Sequence, residues 1–448
     1  METGFPFVIL IGPVIMAIAA VFTRRWRRVT LVIGLGSVTL LALLLALAAP
    51  GTGLFADNIA AVLGREIVMT AFVRSLLLLV YASLGVLFLV VWARPAGRTL
   101  VPTALAVLAP LTAALMASPV GLGSVFLVAA AAVIVPALHD GKFDAVASTW
   151  RYFLLVVLAS APILLTASGA LAVPTATWLF PLLATLLLLG GFPFHIWVSG
   201  LSRHLSPVVA ALVLGLMQIV VVAFLLGLLD SVPAARATIE FQTAVRWSAA
   251  LTALVGAFQM ARATERRGLV AGAVLLDMGF MPLVALSPGT DGLLIALPAL
   301  IGRFLALLLI ALGLGSASAA PEPTRAERLI TRFRPLLLLY GCLSLLGLPL
   351  TPGFSARWAQ LAAAGQGSGV WPPLLLVVAL ALGTVAVASL IAGGRAAHLA
   401  AEPSTTSARP GTVGFEMGMM IFLAALAGIM GMFPGLLTRL AARILGLG

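Results

Sequence analysis

The sequence predicts an all-α polytopic membrane protein with about fourteen transmembrane helices. Hydrophobic residues make up 62% of the 448 residues and charged residues only 9%, whereas a soluble protein carries about a quarter charged residues. The mean hydropathy is +1.19. Apolar runs of about 20 residues, the length that crosses a bilayer, recur along the whole chain.

The apolar runs define the elements in chain order. No basic segment precedes the first run, which is therefore predicted to be a retained helix and not a cleaved signal peptide. No loop is long enough to bury a core of its own, so residues 1–448 are predicted to form a single integral membrane domain. The predicted spans are 4–22, 29–49, 70–93, 100–118, 120–138, 150–171, 178–198, 207–229, 247–261, 269–286, 293–314, 336–362, 373–393 and 415–436.

Basic residues are distributed asymmetrically between the two sides of this topology. If the N-terminus lies outside, the inner loops hold most of them, as the positive-inside rule requires. The net charge of +12 then reflects topology and does not indicate a nucleic-acid partner. We therefore expect a multi-pass protein of the inner (cytoplasmic) membrane with both termini outside. The inner set is Arg24, Arg25, Arg27, Arg28, Arg94, Arg98, Lys142, Arg151, Arg203, Arg262, Arg266, Arg267, Arg325, Arg328, Arg332, Arg334, Arg395 and Arg409, and the outer set is Arg65, Arg236, Arg246, Arg439 and Arg443.

The sequence carries no signature of a cofactor or a metal. The single cysteine, Cys342, excludes a disulfide framework and a cysteine-based metal or iron–sulfur cluster. Phosphate-binding, nicotinamide and flavin fingerprints are absent, so redox or ATP chemistry within the chain is not expected. His139, Asp140, Lys142 and Asp144 fit no metal-ligand spacing and are predicted to form a solvated loop.

Two spans contain helix breakers at corresponding places. They are "LGGFPFHIW" (189–197) in the seventh span and "GLPLTPGFSARW" (347–358) in the twelfth. Proline removes a backbone donor and clashes with the preceding turn. Broken backbone at membrane depth is tolerated only where protein or a wet cavity satisfies it. The predicted breakers are Pro193, Pro207, Pro349, Pro352 and Gly353.

The position of the two breaks, five spans apart, is typical of transporters built from inverted repeats. The sequence therefore predicts two inverted five-helix repeats with broken helices 7 and 12. The first repeat is expected over residues 100–230 and the second over 247–393. N-terminal helices over 1–99 and a C-terminal helix over 415–448 would flank them.

The motifs around the breaks resemble a known family, the antiporter-like membrane subunits of respiratory complex I (NADH:quinone oxidoreductase). "PFHIW" followed by "SPVVAAL" (193–197 and 206–212) is similar to the family's P-F-H-x-W … P-V-S-A-L, and "GLPLTPGFSARW" is similar to its G-L-P-x-x-x-G-F-x-x-K-[FW]. Subunits of multisubunit sodium/proton antiporters and of membrane-bound hydrogenases share these motifs. Weaker similarities, in family order, are carried by "WRYFLLVVLASA", "ERRGLVAGAVLLDMGF", "FLALLLIALG" and "GMFPGLL".

The resemblance implies proton translocation along membrane-embedded lysines, a glutamate and histidines, coupled to redox chemistry in a distant arm. Most of these positions lack an ionisable side chain in this sequence. The glutamate position falls at Ala131, and the lysine positions fall at Leu188, at Met217 or Gln218, at Leu305 and at Arg357. A buried lysine can release a proton, whereas arginine, with a pKa above about 12, keeps its charge. Arg357 is therefore expected to act electrostatically.

Polar residues at membrane depth are costly and mark candidate sites. His195, at the first break, has an ordinary pKa of about 6.5, which suits a proton relay, and it could equally satisfy the broken backbone. Gln218 is of a residue type that more often packs helices together than carries protons. Asp277 and Arg303 are expected to pair, as a static lock or within a relay, and Arg74 is assigned no role. The candidate proton-pathway residues are His195, Gln218, Asp277, Arg303 and Arg357.

These observations predict a membrane subunit of a complex I-like ion-translocating assembly, without a redox cofactor of its own. Its expected partners are similar membrane subunits, through them a peripheral redox or enzymatic arm, and lipids. The chain could conduct protons, or it could have lost pumping and serve a structural role. Further alternatives are a membrane partner of a cytoplasmic enzyme, as in inorganic-carbon uptake, a subunit of a multisubunit Na+/H+ antiporter, and an independent secondary transporter.

Overall fold

The computed structural model describes residues 5–47, 59–62, 65–139, 143–169, 174–314, 324–366, 369–392 and 413–447. Within them the chain forms eighteen α-helices and one hairpin, in which β1 (Ile59–Val62) pairs antiparallel with β2 (Arg65–Val68). The helices are α1 Phe5–Thr23, α2 Arg27–Leu47, α3 Ala71–Ala93, α4 Leu100–Met116, α5 Gly123–His139, α6 Phe143–Ala167, α7 Pro174–Leu189, α8 Ile196–His204, α9 Pro207–Ser231, α10 Pro233–Ala237, α11 Ile239–Ala261, α12 Arg266–Phe280, α13 Gly289–Gly313, α14 Arg325–Leu346, α15 Phe354–Gly365, α16 Trp371–Ala392, α17 Val413–Met432 and α18 Gly435–Ile444.

The prediction of an all-α, multi-pass membrane protein is confirmed. Eleven helices of the described residues are long and apolar enough to cross a membrane, and α4 and α7 are shorter apolar helices. Each predicted span overlaps one of the eighteen helices, while the exact number of fourteen crossings stays a prediction. The hairpin between α2 and α3 is the one departure from an all-helical pattern in the described part of the chain.

Two helices begin earlier than the sequence predicts and include arginines that the prediction places in loops. Helix α11 begins at Ile239, ahead of the predicted span, so Arg246 lies within a helix and is buried. Helix α14 begins at Arg325, so Arg334 also lies within a helix and is buried. A prediction from hydropathy places the end of a span at the first charged residue. The helix itself can extend past that residue when its backbone hydrogen bonds are made and the charged side chain has a partner.

The C-terminal region differs from the prediction of a single flanking helix. The apolar helix α17 ends at Met432, and a turn that contains Pro434 leads into the shorter helix α18. Leu437, Ala441 and Ile444 of α18 are buried, while most of its other side chains are exposed. Helix α18 is therefore amphipathic.

The core of the bundle is formed by α9, α12 and α13. These helices are buried over nearly all of their apolar length, whereas no more than about a third of the apolar length of α1, α6, α16 and α17 is buried. A helix that is apolar on every side is stable only where neighbours or lipid surround it completely. Polar groups on the central helices are therefore shielded from lipid by the surrounding helices.

Several arginines bind the last carbonyl groups of neighbouring helices. Arg74 donates from Nε to Leu45 O (2.7 Å), near the end of α2, and Arg94 donates to Ala311 O (2.6 Å), near the end of α13. The last four carbonyls of a helix lack partners within it and carry the negative end of its dipole. Arg74, which has no role in the sequence analysis, therefore caps α2.

Candidate functional site

The seventh span is broken, as predicted, between α7 and α8. Helix α7 ends at Leu189, and Gly190 follows with a left-handed backbone (φ 64°). In that turn an added Cβ would approach Val198 Cγ2 to 2.5 Å, so glycine is required on both conformational and steric grounds. The Phe192–Pro193 peptide bond is cis, and α8 begins at Ile196.

Polar side chains of α11 satisfy the backbone at this break. Phe192 N donates to Thr252 Oγ1 (2.7 Å), and Ser248 Oγ donates to Phe192 O (2.9 Å). Serine and threonine supply the partners that water would otherwise provide at membrane depth. The break is therefore held by protein, and α11 and α7 are tied together at this level.

His195 occupies the end of this turn, at the N-cap of α8, and is half-buried. Its ring stacks on Phe192 with centroids 5.7 Å apart, and its buried Nδ1 atom has no partner among the described residues. It does not satisfy the broken backbone, because Thr252 and Ser248 do so. Pro207 lies beyond α8 as the first residue of α9, where its missing N–H costs no hydrogen bond.

A small cavity lies in the first half of the bundle. Its volume is about 20 Å³, and its lining includes Gln218, Leu188, Met217, Ala130 and Tyr152. This volume is enough for one water molecule, which needs about 10–15 Å³. The buried Gln218 Oε1 atom has no hydrogen-bond partner in the described structure, so it supplies an acceptor for such a water.

This cavity lies at positions where the resemblance to the family implies ionisable side chains. Leu188 and Met217 present apolar side chains there, and Ala131, next to the lining residue Ala130, is also buried. Gln218 and Tyr152 are the polar residues of the lining, and neither carries a charge at neutral pH. The cavity therefore holds no group that exchanges protons near neutral pH.

The twelfth span is broken between α14 and α15, again as predicted. Helix α14 ends at Leu346, and Gly347 adopts a left-handed backbone (φ 72°). Pro349 and Pro352 lie in the turn, and Gly353 is the N-cap of α15. A Cβ on Gly353 would lie 2.1 Å from Ser344 O, so only glycine allows the turn to approach α14 this closely.

A charged centre lies beside this second break. The carboxylate of Asp277 on α12 accepts hydrogen bonds on Oδ2 from Arg303 Nε of α13 and on Oδ1 from Arg357 NH2 of α15. All three residues are buried, with relative exposures of 6%, 2% and 4%. Asp277 and Arg303 therefore pair, as predicted from the sequence, and Arg357 binds the second oxygen of the same carboxylate.

Further contacts hold the two guanidiniums in place. Arg357 donates to Gln360 Oε1 (3.0 Å) and to Leu345 O (2.7 Å), and its Cζ atom lies 3.9 Å from the centroid of the Phe280 ring. Arg303 NH1 lies 3.4 Å from Leu214 O, in the π-helical turn Ala211–Leu216 of α9. Four helices and a π-helical turn, a feature frequent at functional sites, therefore meet at the centre.

The formal charge of the centre is positive, since two arginines face one carboxylate. Two buried donors, Arg303 NH2 and Arg357 Nε, have no partner among the described residues. Buried charges of this kind are stable only when hydrogen-bonded and paired. Arginine does not act as a proton carrier, so the centre can bias its surroundings electrostatically but offers Asp277 no base for proton exchange.

The structure does not bring all five candidate pathway residues together. Asp277, Arg303 and Arg357 form one centre, whereas no hydrogen bond or ion pair joins His195 or Gln218 to it in the described residues. No group of three or more potential metal ligands occurs in that part of the chain. Asp140 and Lys142 of the predicted loop lie outside the described residues.

A second buried ion pair was not anticipated from the sequence. Arg334 NH2 on α14 donates to Glu416 Oε1 on α17 (3.0 Å), and both side chains are about nine-tenths buried. Burial lowers the pKa of the nearby Arg94 from its ordinary value, and the negative charge of Glu416 opposes this with a smaller effect. A lone glutamate in the first turn of an apolar helix was the available signal.

The comparison with protein families matches this chain to one of them. Residues 173–383 match the family described as NADH:quinone oxidoreductase/Mrp antiporter, transmembrane. These residues include both helix breaks and the charged centre. Over this region the chain is similar to the antiporter-like membrane subunits of that family. No curated protein matches it by sequence.

Solved structures show the same fold along nearly the whole chain. A chain of respiratory complex I from Thermus thermophilus with bound NADH is 21% identical, with a TM-score of 0.72 and coverage of 99% of this chain and 100% of that chain. A chain of the archaeal membrane-bound sulfane sulfur reductase is 14% identical (TM-score 0.74; 99% and 97% covered). A chain of the Mrp complex from Dietzia sp. is 16% identical (TM-score 0.70; 99% and 96% covered).

Proposed function

We propose that this antiporter-like subunit works within a multisubunit, complex I-like assembly and that its own polar axis does not relay protons. Its role is then to hold the neighbouring subunits and to keep a fixed positive charge inside its own helix bundle. The observation that carries the proposal is the Arg303–Asp277–Arg357 centre. Both oxygens of its carboxylate are bound by arginines, which do not exchange protons at physiological pH.

The first half of the bundle supports the same proposal. Its cavity contains Gln218 and Tyr152 but no lysine, histidine or carboxylate. A proton relay needs groups whose pKa lies near the working pH. The cavity lacks such a group, and its volume leaves room for about one water molecule.

The proposed setting of the subunit is the inner membrane, with both termini outside and two inverted five-helix repeats around the helix breaks. The distribution of basic residues supports this orientation. The proposed partners are other membrane subunits and, through them, a peripheral arm. The similar chains belong to a respiratory complex, a sulfane sulfur reductase complex and an Mrp complex, which supports a multisubunit setting.

Purification of the native assembly through a tag on this subunit tests the proposed setting. We expect further membrane subunits to copurify. Flavin and iron–sulfur subunits beside them would identify a respiratory complex, a zinc enzyme would identify a carbon-uptake system, and small antiporter subunits would identify a Na+/H+ antiporter. A subunit that purifies alone and transports ions alone would overturn the proposal.

A second candidate function is proton conduction through water, and two observations favour it. The water-sized cavity is lined in part by Gln218, whose Oε1 atom has no partner in the described residues, and His195 Nδ1 is also without a partner there. In this case His195→Ala and Arg357→Ala would both reduce ion transport by the reconstituted assembly. Under the first proposal His195→Ala leaves transport unchanged, so this variant separates the two functions.

A further inference from the structure

Helix α18 presents three distinct faces. Its buried residues, Leu437, Ala441 and Ile444, fall within a sector of about 60° when successive residues turn by about 100°. This face packs against α13 and α3 of the bundle. The remaining faces point away from the protein.

Two arginines form the second face. Arg439 and Arg443 are exposed and lie four residues apart, so their side chains stand one above the other on the same side of the helix. Neither guanidinium forms an ion pair or hydrogen bond with any described residue. The two positive charges are therefore available to an anion from outside the protein.

The third face is a row of exposed leucines beside the arginines. Leu436 and Leu440 are 44% and 36% exposed. They lie about 60° around the helix axis from the arginine pair, on the side opposite to Thr438. A row of leucines next to a row of arginines is the pattern of a helix at the boundary between acyl chains and lipid headgroups.

The position of α18 in the chain agrees with this pattern. The apolar helix α17 ends at Met432, only three residues before α18 begins. Met432 and Phe433 in the connection are 64% and 60% exposed. A helix that starts directly after a membrane-crossing helix and then turns lies at the level where the apolar region ends.

We propose that α18 lies in the membrane interface and that Arg439 and Arg443 bind the phosphate groups of anionic phospholipids. The guanidinium fork matches phosphate geometry, and the leucine row covers the adjoining acyl chains. Binding of the lipid would fix α18 against α13, the helix that carries Arg303. This inference goes beyond the proposed function and does not depend on whether the subunit relays protons.

The test measures which lipids surround α18 in the full-length subunit in lipid nanodiscs. Cys342, the single cysteine, is replaced by alanine, and a fluorophore is attached at Thr438→Cys, an exposed position of α18. Quenching by headgroup-nitroxide phosphatidylglycerol is compared with quenching by the same label on phosphatidylcholine. A fluorophore at Val385→Cys, on the exposed surface of α16, is the matched control site.

We expect the fluorophore on α18 to be quenched at a lower fraction of the anionic lipid than of the zwitterionic lipid. Each arginine near an anionic surface contributes about a fivefold preference, so the pair gives about 25-fold at low salt. R439Q/R443Q should reduce the preference to that of the control site, and R439K/R443K should keep most of it. Equal quenching by both lipids in the unsubstituted subunit, or an unchanged preference in R439Q/R443Q, overturns the proposal.

Discussion

Replacing Asp277 with asparagine removes the one negative charge from the Arg303–Asp277–Arg357 centre and leaves its shape nearly unchanged. Two guanidiniums then face each other in the interior without a counter-ion. Loss of one partner from a buried ion pair costs about 3–5 kcal/mol. Two charge-assisted hydrogen bonds at about 1.5–3 kcal/mol each give about 3–6 kcal/mol, which overlaps this range. We therefore expect Asp277→Asn to lower the free energy of unfolding by about 3–5 kcal/mol.

The single cysteine provides the assay. Cys342 is 1% exposed, so a thiol-reactive dye labels the subunit only when it unfolds. For a chain of this length about 1 kcal/mol shifts the midpoint by about 1–2 °C, and we expect Asp277→Asn to lower it by about 3–10 °C. Replacing the whole centre with Asp277→Leu, Arg303→Met and Arg357→Met should recover most of the loss, because no unpaired charge remains.

A matched control separates this effect from a general change of charge. Glu265 is 67% exposed at the side chain and lies 4.0 Å from Arg203, and an exposed pair of this kind is worth at most about 1 kcal/mol. Glu265→Gln should therefore leave the midpoint within about 2 °C of the wild type. If Asp277→Asn unfolds at the same temperature as Glu265→Gln, the ion-pair argument is wrong.

Three further variants test other parts of the structure by the same dye assay. Glu416→Gln should cost about 3 kcal/mol because it removes the buried carboxylate to which Arg334 donates, and a loss below about 1 kcal/mol would contradict this. Gly353→Ala should prevent or strongly destabilise folding because its Cβ meets a carbonyl oxygen at 2.1 Å, whereas Gly365→Ala, with open space around it, should be tolerated. Gln218→Leu should keep or raise stability because it removes an unpaired buried acceptor; a loss of more than about 2 kcal/mol would show that a bound water satisfies it.

The helix breaks could be predicted because their causes are local. Pro193 and Pro352 disrupt helix geometry wherever they occur in a long apolar run. The pairing of Asp277 with Arg303 was also predictable, since few charged residues lie within the spans and buried charges require partners. The placement of Arg357 on the same carboxylate depends on how far the second break displaces α15, which no local pattern specifies.

The contacts that sequence reasoning missed involve charge at helix ends. Arg334 precedes the most apolar part of α14, so a hydropathy pattern assigns it to a loop and leaves Glu416 without an expected partner. The same pattern places Arg94 in a loop, although it caps α13. The positive-inside rule explains why such arginines are numerous but does not identify those that bind a carbonyl or a carboxylate.

The proposal that this subunit does not relay protons is tested by counting the protons that the native assembly moves per turnover in liposomes. The assembly that contains the double variant His195→Ala and Gln218→Leu is compared with the wild type, after both are shown to have the same subunit composition. These two residues are the pathway candidates outside the charged centre, and neither contacts the arginine-bound carboxylate. We expect the same proton-to-turnover ratio in both assemblies. A lower ratio in the variant would show that this subunit conducts protons and would contradict the account.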